Sequence, residues 1–298
     1  MKCTLCPRAC GVDRAVAQGF CHAGRETEIA AVCAHHGEEP PISGERGICN
    51  VFFAHCNLQC IYCQNWQIST HASVTSATSN PSATGIAAVL GETENIIGFV
   101  TPTHYADSIP AIVEELHRRG LHPVTVYNTS GYETVETLRM LEPYIDVYLP
   151  DFKYADADLA ARYSHAPDYP QRALEALSEM YRQKGSALIT DERGLAVSGI
   201  IVRHLVLPGC VDNSLGVLDR IADISLNLHV SLMAQYYPPQ GINGGATLPD
   251  QLSRTVSAEE YDTVVEHFHA TGLHNGWLQE LTAQNTYRPD FSAPTPFG

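Results

Sequence analysis

Apolar runs alternate with amphipathic stretches along most of the chain after Gly44. Short apolar runs predict buried strands, and longer amphipathic stretches predict helices. In Ser108–Arg119, for example, apolar residues follow the i, i+3, i+4, i+7 spacing of one buried helical face, and Gly120 marks its end. The predicted strands are Ile48–Ala54, Asn95–Thr101, His122–Asn128, Ile145–Asp151, Gly199–Leu207 and Leu228–Gln235. The predicted helices lie near Ala83–Leu90, Ser108–Arg119, Thr134–Leu141, Arg172–Gln183, Leu215–Ile224 and Ala258–Ala270.

Alternation of strands and helices predicts an α/β fold with parallel strands joined by right-handed crossovers. Six such units make a partial (β/α)6 barrel, about three-quarters of an eight-unit barrel. Residues 1–45 lack clear periodicity and contain five cysteines, so we predict a small Cys-rich metal-binding cap there. The partial barrel and a C-terminal extension then occupy residues 46–298. The stretch Ser69–Ala83, rich in Ser, Thr and Ala, is predicted to be a mobile loop.

Composition narrows the class of protein. The chain has 298 residues, of which 44% are hydrophobic, enough for the core of one such barrel. It contains no apolar run of about 18 residues and no signal-peptide pattern, so we expect a soluble, cytoplasmic protein without a membrane partner. Its ten cysteines then favour metal ligation over disulfides. A net charge of −15 without a Lys/Arg stripe argues against a nucleic-acid partner.

Three cysteines directly follow the first predicted strand, in the run Cys56-Asn57-Leu58-Gln59-Cys60-Ile61-Tyr62-Cys63. The next cysteine, Cys210, lies 147 residues further along the chain. Ferredoxin clusters and structural zinc sites each require four protein ligands. Three thiolates on one tight loop instead suit a cubane iron–sulfur cluster with one iron open to a substrate. The alternative is a zinc loop with a more distant fourth ligand, such as Cys49 or His55.

This cysteine triad and its flanks resemble the signature of the radical S-adenosylmethionine (SAM) superfamily. The flanks, Val51-Phe52-Phe53-Ala54-His55 and Gln64-Asn65-Trp66, are similar to those of pyruvate formate-lyase activating enzymes and their uncharacterised iron–sulfur relatives. The resemblance implies a six-unit partial barrel in which Cys56, Cys60 and Cys63 hold a 4Fe–4S cluster and SAM binds its fourth iron. It also implies reductive cleavage of SAM to a 5′-deoxyadenosyl radical, with electrons from an external flavodoxin-like or ferredoxin-like donor.

The same resemblance implies contacts to SAM from the ends of the other strands. Tyr62 would contact adenine, and Thr101 stands where many relatives have the glutamate of a Gly-Gly-Glu motif. The motifs Asn128-Thr129-Ser130-Gly131 and Asp151-Phe152-Lys153 are similar to sequences that surround the SAM carboxylate in the activating enzymes. Asn128, Thr129 and Asp151 take that role here by residue-to-residue matching. Arg203 would orient SAM or substrate, and Gln235 would touch adenosine.

Structural alternatives remain open for several of these residues. Tyr62 is equally well explained by core packing, and Thr101 by a turn before Pro102. Asp151 could form a structural ion pair with Lys153, and Arg203 could pair with a core carboxylate. The position of Asp151 at the carboxyl end of a predicted strand favours a functional role, because chemistry collects there in parallel barrels.

Four more cysteines near the amino terminus form a separate predicted metal site. Their spacing is Cys3-x2-Cys6-x3-Cys10-x10-Cys21. Four thiolates can close around zinc or around a second 4Fe–4S cluster, and the spacing does not choose between them. The segments Pro7-Arg8 and His35-His36-Gly37-Glu38-Glu39-Pro40 also resemble the uncharacterised branch of the family, without an assigned role.

The sequence specifies the target of the hydrogen abstraction less narrowly than it specifies the cofactor. A glycine of a glycyl-radical enzyme is the first candidate, because the Asn-Thr-Ser-Gly and Asp-Phe-Lys motifs resemble the activating enzymes. Another peptide or a small metabolite is the alternative. Two further hypotheses are a non-enzymatic electron-transfer or zinc-scaffold protein and an enzyme that uses SAM as a methyl or aminocarboxypropyl donor. Formation of 5′-deoxyadenosine separates hydrogen abstraction from both.

Overall fold

The six predicted strands form neighbouring parallel strands of one sheet in a computed structural model of the chain, which describes residues 2–69, 78–79, 83–239, 248–286, 288–293 and 295–297. They are β2 (Ile48–Phe53), β4 (Ile96–Val100), β5 (Val124–Thr129), β6 (Val147–Pro150), β8 (Ala196–Leu205) and β9 (His229–Met233). Each pairs in parallel with the one before it in this series. An α/β fold with a central, mostly parallel sheet is therefore confirmed, whereas closure into a partial barrel stays a prediction.

Further strands extend this sheet at both edges. β1 (Glu28–His35) pairs antiparallel with β2 and also with β3 (Thr78–Ser79). β7 (Ile189–Thr190) pairs antiparallel with β8, and β10 (Asn275–Leu278) pairs in parallel with β9. In the described part of the chain the strand order is β10-β9-β8-β6-β5-β4-β2-β1-β3, with β7 beside β8.

Helices connect the parallel strands, as the amphipathic stretches predict. Those of the described residues are α1 (Pro40–Ser43), α2 (Trp66–Ser69), α3 (Ala83–Glu92), α4 (Ile109–Arg118), α5 (Val135–Leu141), α6 (Ala157–Ser164), α7 (Tyr169–Lys184), α8 (Val211–Ile224) and α9 (Ala258–Ala270). Helix α9 begins at a capping box in which Ser257 Oγ accepts from the Glu260 amide. Within the described ranges, none of these helices is long and apolar enough to cross a membrane.

The two faces of the parallel sheet bury different kinds of side chain, because successive residues of a strand point to opposite faces. Phe53, Phe99 and Tyr127 face outward and join the large apolar core. The inner face has a smaller apolar cluster, here called the floor. Its members include Ile42, Ile48, Ile96, Val126, Val147 and Ile201. Burying each such aliphatic side chain contributes about 1.5–3 kcal/mol, so the floor anchors helix α1 inside the sheet.

The amino-terminal segment before β1 packs against the loop that carries the cysteine triad. Arg8 Nε donates to the carbonyl of Asn57 over 3.0 Å, and Arg8 Nη2 donates to that of Ser164 over 2.9 Å. The Arg8 guanidinium also lies 3.8 Å from the centre of the Phe20 ring. Gln59 Nε2 in turn donates to the Phe20 carbonyl over 2.6 Å. Asn57 and Gln59, which lie between the first two cysteines of the triad, thus hold the amino-terminal segment in place.

Two features of the predicted organisation differ from the structure. Sequence analysis does not predict β1, because most of its side chains are only partly buried and show no strict alternation. This strand makes the later residues of the predicted cap a part of the sheet, while the division of the chain at residue 45 stays a prediction. The predicted loop Ser69–Ala83 falls mostly outside the described residues.

Replacement of Gly276 in β10 by Ala should weaken the sheet edge. Gly276 has φ +122°, and a Cβ there would lie 1.9 Å from the Val230 carbonyl oxygen. We expect the free energy of unfolding to fall by about 2 kcal/mol or more, measured by urea denaturation. Gly91→Ala is the matched control, because a Cβ in this part of α3 meets no atom within 4 Å. It should stabilise by roughly 0.5–1 kcal/mol; equal effects of the two substitutions would contradict the described packing.

Candidate functional site

A cavity of about 580 Å³ lies at the carboxyl ends of the parallel strands. Parallel α/β folds place ligand sites at this end of the sheet. The cavity lining brings together the cysteine triad and every residue predicted to contact SAM. These residues are Cys56, Cys60, Tyr62, Cys63, Thr101, Asn128, Thr129, Asp151, Arg203 and Gln235. Their placement in one cavity is a finding, whereas their individual roles stay predictions.

The triad loop turns sharply between β2 and α2. His55 and Gln59 have φ values of +71° and +54°, which are uncommon for residues other than glycine. The turn buries the thiols of Cys56 and Cys60, and Cys63 is partly buried beside them. Ser164 Oγ donates to Cys60 Sγ over 2.9 Å. All three cysteines line the cavity.

Burial keeps the thiols of Cys56 and Cys63 protonated in the absence of a ligand. It raises the pKa of Cys56 to about 11, and the nearby Cys60 adds to the shift. Burial likewise raises the pKa of Cys63 to about 12, and both other triad cysteines contribute. A thiol binds metal as the thiolate, so loading of this site must release protons.

The fourth ligands considered for a zinc loop lie elsewhere. Cys49 is on the outer face of β2, where its Sγ lies 3.9 Å from the Ile86 carbonyl oxygen. His55 Nε2 lies 3.2 Å from a Glu28 carboxylate oxygen. Neither residue lines the cavity described here. The arrangement therefore does not favour either residue as a ligand beside the triad.

Tyr62 is held in an aromatic enclosure. Its ring meets those of Tyr154, Tyr163 and Tyr236 edge to face, with centroid distances of 6.5, 6.3 and 6.3 Å. The Tyr154 hydroxyl donates to the Tyr62 hydroxyl over 2.7 Å. Tyr62 is thus both a packed core residue and part of the cavity wall. The interpretations offered from sequence, core packing and a contact to a ligand, are therefore compatible.

A buried network of charges occupies the middle of the cavity. Arg203 donates from Nε to Asp151 Oδ1 over 2.9 Å, from Nη1 to Glu38 Oε2 over 3.1 Å and from Nη2 to Asn128 Oδ1 over 2.5 Å. Lys153 Nζ donates to Asp151 Oδ2 over 2.5 Å. The ion pairs of Asp151 with Lys153 and of Arg203 with carboxylates, both considered as alternatives, are therefore present.

The network keeps its members ionised. Burial alone would raise the pKa of Asp151, but the charges of Lys153 and Arg203 outweigh it and hold that pKa below its usual value. Burial opposes the charge of Lys153, and the adjacent Asp151 more than compensates, so the pKa of Lys153 is raised. Asp151 therefore carries a full negative charge at neutral pH while it lines the cavity.

The ends of β4 and β5 present hydroxyl groups. Thr101 has φ +55°, a strained conformation for a β-branched residue, and it lines the cavity. The Thr129 hydroxyl donates to Glu133 behind the cavity wall. Ser130 also lines the cavity, and its buried Oγ has no hydrogen-bond partner among the described residues. A buried polar atom without a partner is costly, so Ser130 Oγ is available to a ligand.

Amide side chains lie beside the triad at another edge of the cavity. Gln279 Nε2 donates to Gln235 Oε1 over 2.9 Å, and Gln279 Oε1 accepts from the Ala234 amide over 3.0 Å. Gln64 Nε2 donates to the Gln235 carbonyl over 3.3 Å. The carboxyl ends of β9 and β10 are thus joined to the residue that follows the triad.

Sequence analysis missed several polar residues of the cavity. Glu38 and Glu39 enter it from the connection between β1 and β2. From sequence, they belong to a motif without an assigned role. Ser231 also lines the cavity, and Asn50 Nδ2 donates to Glu38 Oε1 over 2.9 Å. A single polar residue at an inward position of an apolar strand, as at Asn50 and Ser231, is a signal that predicts such a site.

The amino-terminal cysteines Cys3, Cys6, Cys10 and Cys21 do not line the cavity. Burial raises the pKa of Cys21, and the charges of Cys3 and Cys10 add to the effect. Burial raises the pKa of Cys6 to about 12, with a contribution from Cys21. All ten cysteines of the chain are free of disulfides. Within the described residues, no group of three or more His, Cys, Asp or Glu side chains is arranged around a single metal-ion position.

Comparison with known proteins adds two similarities. No family model matches the chain. The curated "Uncharacterized protein MJ0674" of Methanocaldococcus jannaschii is 28% identical over 274 residues, covering 89% of this chain and 73% of that protein. The crystal structure of Streptococcus suis SuiB matches with a TM-score of 0.49 and 13% identity over 77% of this chain. The match covers 49% of the SuiB chain, so this chain spans about half of its length. These similarities do not assign a family.

Glu133 should make stability depend on pH. Burial raises its pKa from 4.5 to about 7, although hydroxyls of Thr103 and Thr129 hydrogen-bond to the carboxylate. The folded protein therefore holds this proton more tightly than the unfolded chain. Its contribution to stability is complete below about pH 4.5 and is lost as the pH rises to about 7, by roughly 1–3 kcal/mol.

Urea denaturation between about pH 4.5 and 7.5 measures this effect. Glu133→Gln should remove this part of the pH dependence and keep hydrogen-bonding groups in place. Glu136→Gln, at an exposed position of α5, should retain the wild-type slope. Superimposable pH profiles for the wild type and Glu133→Gln would contradict the raised pKa.

Proposed function

We propose that this chain is a radical SAM iron–sulfur enzyme that abstracts hydrogen from a substrate. The observation that carries the proposal is the convergence of the cysteine triad and the predicted SAM contacts on one cavity. These residues come from the ends of β2, β4, β5, β6, β8 and β9, so their convergence is a property of the fold. The low-identity similarity to SuiB plays no part in this proposal.

The donor set fits an iron–sulfur cluster. Cys56, Cys60 and Cys63 would hold a 4Fe–4S cluster, because thiolates are the ligands that such clusters require. Their burial excludes water, and Ser164 already hydrogen-bonds to the Cys60 sulfur, an interaction that tunes cluster potentials. When bound, the cluster would supply the electron that cleaves the SAM sulfonium to a 5′-deoxyadenosyl radical.

The remaining residues would bind and orient SAM. Tyr62 is fixed by its aromatic neighbours, so its ring needs no reordering on binding. Ser130 Oγ can donate a hydrogen bond without losing another. Asn128 is held by Arg203, and Thr129 is held by Glu133, so both are positioned before a ligand arrives. Arg203 and Asp151 offer opposite charges at fixed positions.

The finer parts of the proposal concern the second metal site and the partners. Cys3, Cys6, Cys10 and Cys21 would bind zinc or a second 4Fe–4S cluster, because their spacing on one segment offers four thiolates. A flavodoxin-like or ferredoxin-like protein would deliver the electron. A glycine of a glycyl-radical enzyme is the first candidate target, supported by the resemblance of the Asn128–Gly131 and Asp151–Lys153 motifs. A small metabolite is the second.

Cys60→Ala should abolish SAM cleavage by removing one ligand of the proposed cluster. After anaerobic reconstitution and reduction with dithionite, we expect 5′-deoxyadenosine from the wild type and none from the variant. Cys49→Ala is the matched control, because Cys49 is equally buried but faces the helices. This variant should retain its iron and its sulfide-to-iron charge-transfer absorbance, and it should still form 5′-deoxyadenosine.

Two outcomes would contradict this assignment. Undiminished 5′-deoxyadenosine from Cys60→Ala would exclude the triad as the cluster site. Loss of metal from Cys49→Ala in a protein that binds zinc but not iron would favour the zinc loop. Metal retained by Cys60→Ala reports on the amino-terminal cysteines, which this substitution leaves unchanged.

Asp151→Asn should weaken SAM binding and also destabilise the fold. The substitution leaves Lys153 without its carboxylate partner and Arg203 with Glu38 alone, and breaking a buried pair costs about 3–5 kcal/mol. We expect at least a ten-fold increase in the Kd for SAM, measured by calorimetry. Asp146→Asn is the control, because Asp146 bonds to Thr125 outside the cavity and should affect only the melting temperature. Unchanged SAM affinity in Asp151→Asn would assign Asp151 a structural role alone.

A further inference from the structure

The short connection between β1 and β2 delivers two carboxylates to the inner face of the sheet. Helix α1 begins with two prolines, and its Ile42 is fully buried in the floor. Insertion of Ile42 fixes the residues immediately before the helix, which are Glu38 and Glu39. Both line the cavity. Glu39 occupies the N-cap position of α1 but makes no side-chain capping hydrogen bond, so its carboxyl is not used by the helix.

The cations of the cavity are committed to other carboxylates. Of the described residues that line it, Lys153 and Arg203 are the lysine and arginine side chains. Lys153 pairs with Asp151, and Arg203 is shared between Asp151 and Glu38. Each of the three nitrogens of Arg203 donates a hydrogen bond to one of these partners or to Asn128. Arg203 acts on Glu39 through its charge, but none of these three hydrogen bonds goes to the Glu39 carboxyl.

Glu39 is a buried carboxyl with unfilled hydrogen-bonding capacity. Its side chain belongs to a residue that is only 8% exposed, and its Oε2 has no hydrogen-bond partner among the described residues. Burial raises the pKa of Glu39, and the neighbouring Glu38 adds to this, although Arg203 and a hydrogen bond with Ser231 oppose the shift. A positively charged group beside Oε2 would satisfy both the charge and the empty acceptor.

The surroundings of Glu39 fit a cation better than an anion. Trp277 of β10 lines the same cavity and packs on the floor cluster that contains Ile42. Carboxylates and aromatic faces both recognise ammonium groups, and the cavity lining contains both. His35, at the same end, has its pKa lowered by burial and so contributes no positive charge at neutral pH. An anionic group would be repelled here by Glu38 and Glu39.

We propose that the Glu39 carboxylate binds the protonated primary amine of a small molecule at the floor end of the cavity. A role for that molecule in the reaction rests on the proposed function. The binding of an amine to Glu39 does not depend on it. The amine has two possible sources, which are the amino group of SAM and a separate amine-bearing substrate. A separate amine would favour a small metabolite over a protein glycine as the target of hydrogen abstraction.

Calorimetric titration of the full chain with simple amines tests the site. The probes are n-butylamine and 1,4-diaminobutane, with n-butanol and butyrate as neutral and anionic probes of similar length. We expect the two amines to bind the wild type and the other probes not to bind. Glu39→Gln should weaken amine binding at least ten-fold. Glu45→Gln, at an exposed position six residues away, should bind as the wild type does.

Glu39→Asp provides a second variant that keeps the charge. It withdraws the carboxyl by one methylene, so we expect amine affinity below that of the wild type and above that of Glu39→Gln. Circular dichroism checks the fold of each variant. If Glu39→Gln does not fold, unchanged amine affinity in Glu39→Asp would overturn the proposal. Equal affinity of folded Glu39→Gln and the wild type for the amines, or equal binding of n-butanol and n-butylamine, would overturn it as well.

A second titration, with SAM present at saturation, distinguishes the two sources of the amine. Binding of n-butylamine together with SAM would support a separate amine substrate. Competition between them, with SAM affinity itself reduced at least ten-fold in Glu39→Gln, would support the amino group of SAM as the occupant. Absence of amine binding together with unchanged SAM affinity in Glu39→Gln would refute both. None of these titrations requires cleavage of SAM, so failure of the proposed radical chemistry gives a different result from failure of the amine site.

Discussion

The buried guanidinium of Arg203 is the interaction on which the interior of this protein depends. It joins β8 to Asp151 after β6, to Asn128 of β5 and to Glu38 before helix α1. A buried charge that loses one partner costs several kcal/mol, so these connections must form together. The planar, forked shape of the group suits this task, since each nitrogen can serve a different element. The inner face of the sheet is therefore held by a directional contact as well as by apolar packing.

That network divides the inner face into zones of different polarity. Below it, the apolar floor anchors α1 and leaves no polar group of its own to satisfy. Above it, the triad thiols and Tyr62 form the wall nearest the carboxyl ends of the strands. Between them lie fixed charges and hydroxyls that do not have to reorganise when a ligand enters. Preorganised groups of this kind are effective in stabilising charge, because the cost of ordering them is met during folding.

Some parts of the fold and the site can be predicted from sequence and others cannot, for physical reasons. Parallel strands are buried on both faces, so β4 and β6 appear as continuous apolar runs and are found from sequence. Asp151 is found because it ends such a run and matches a motif of the resembled family, and Arg203 is found from the resemblance alone. In contrast, β10 is four residues long, contains Gly276 and alternates in exposure, so its pattern is weak. Glu39 lies in the connection between β1 and β2 and reaches the cavity through the burial of Ile42, a tertiary contact without local periodicity.

The contacts of Arg8 and Gln59 give the two groups of cysteines a thermodynamic connection. Both side chains bridge the amino-terminal segment and the triad loop, so the order of one supports the order of the other. A ligand that stabilises this arrangement at either group lowers the free energy needed to organise the second. Linkage requires this effect to be reciprocal, with the same coupling free energy in both directions. Occupancy of the two sites would then be cooperative, and partial loss of metal would leave a mixture enriched in fully loaded and empty chains.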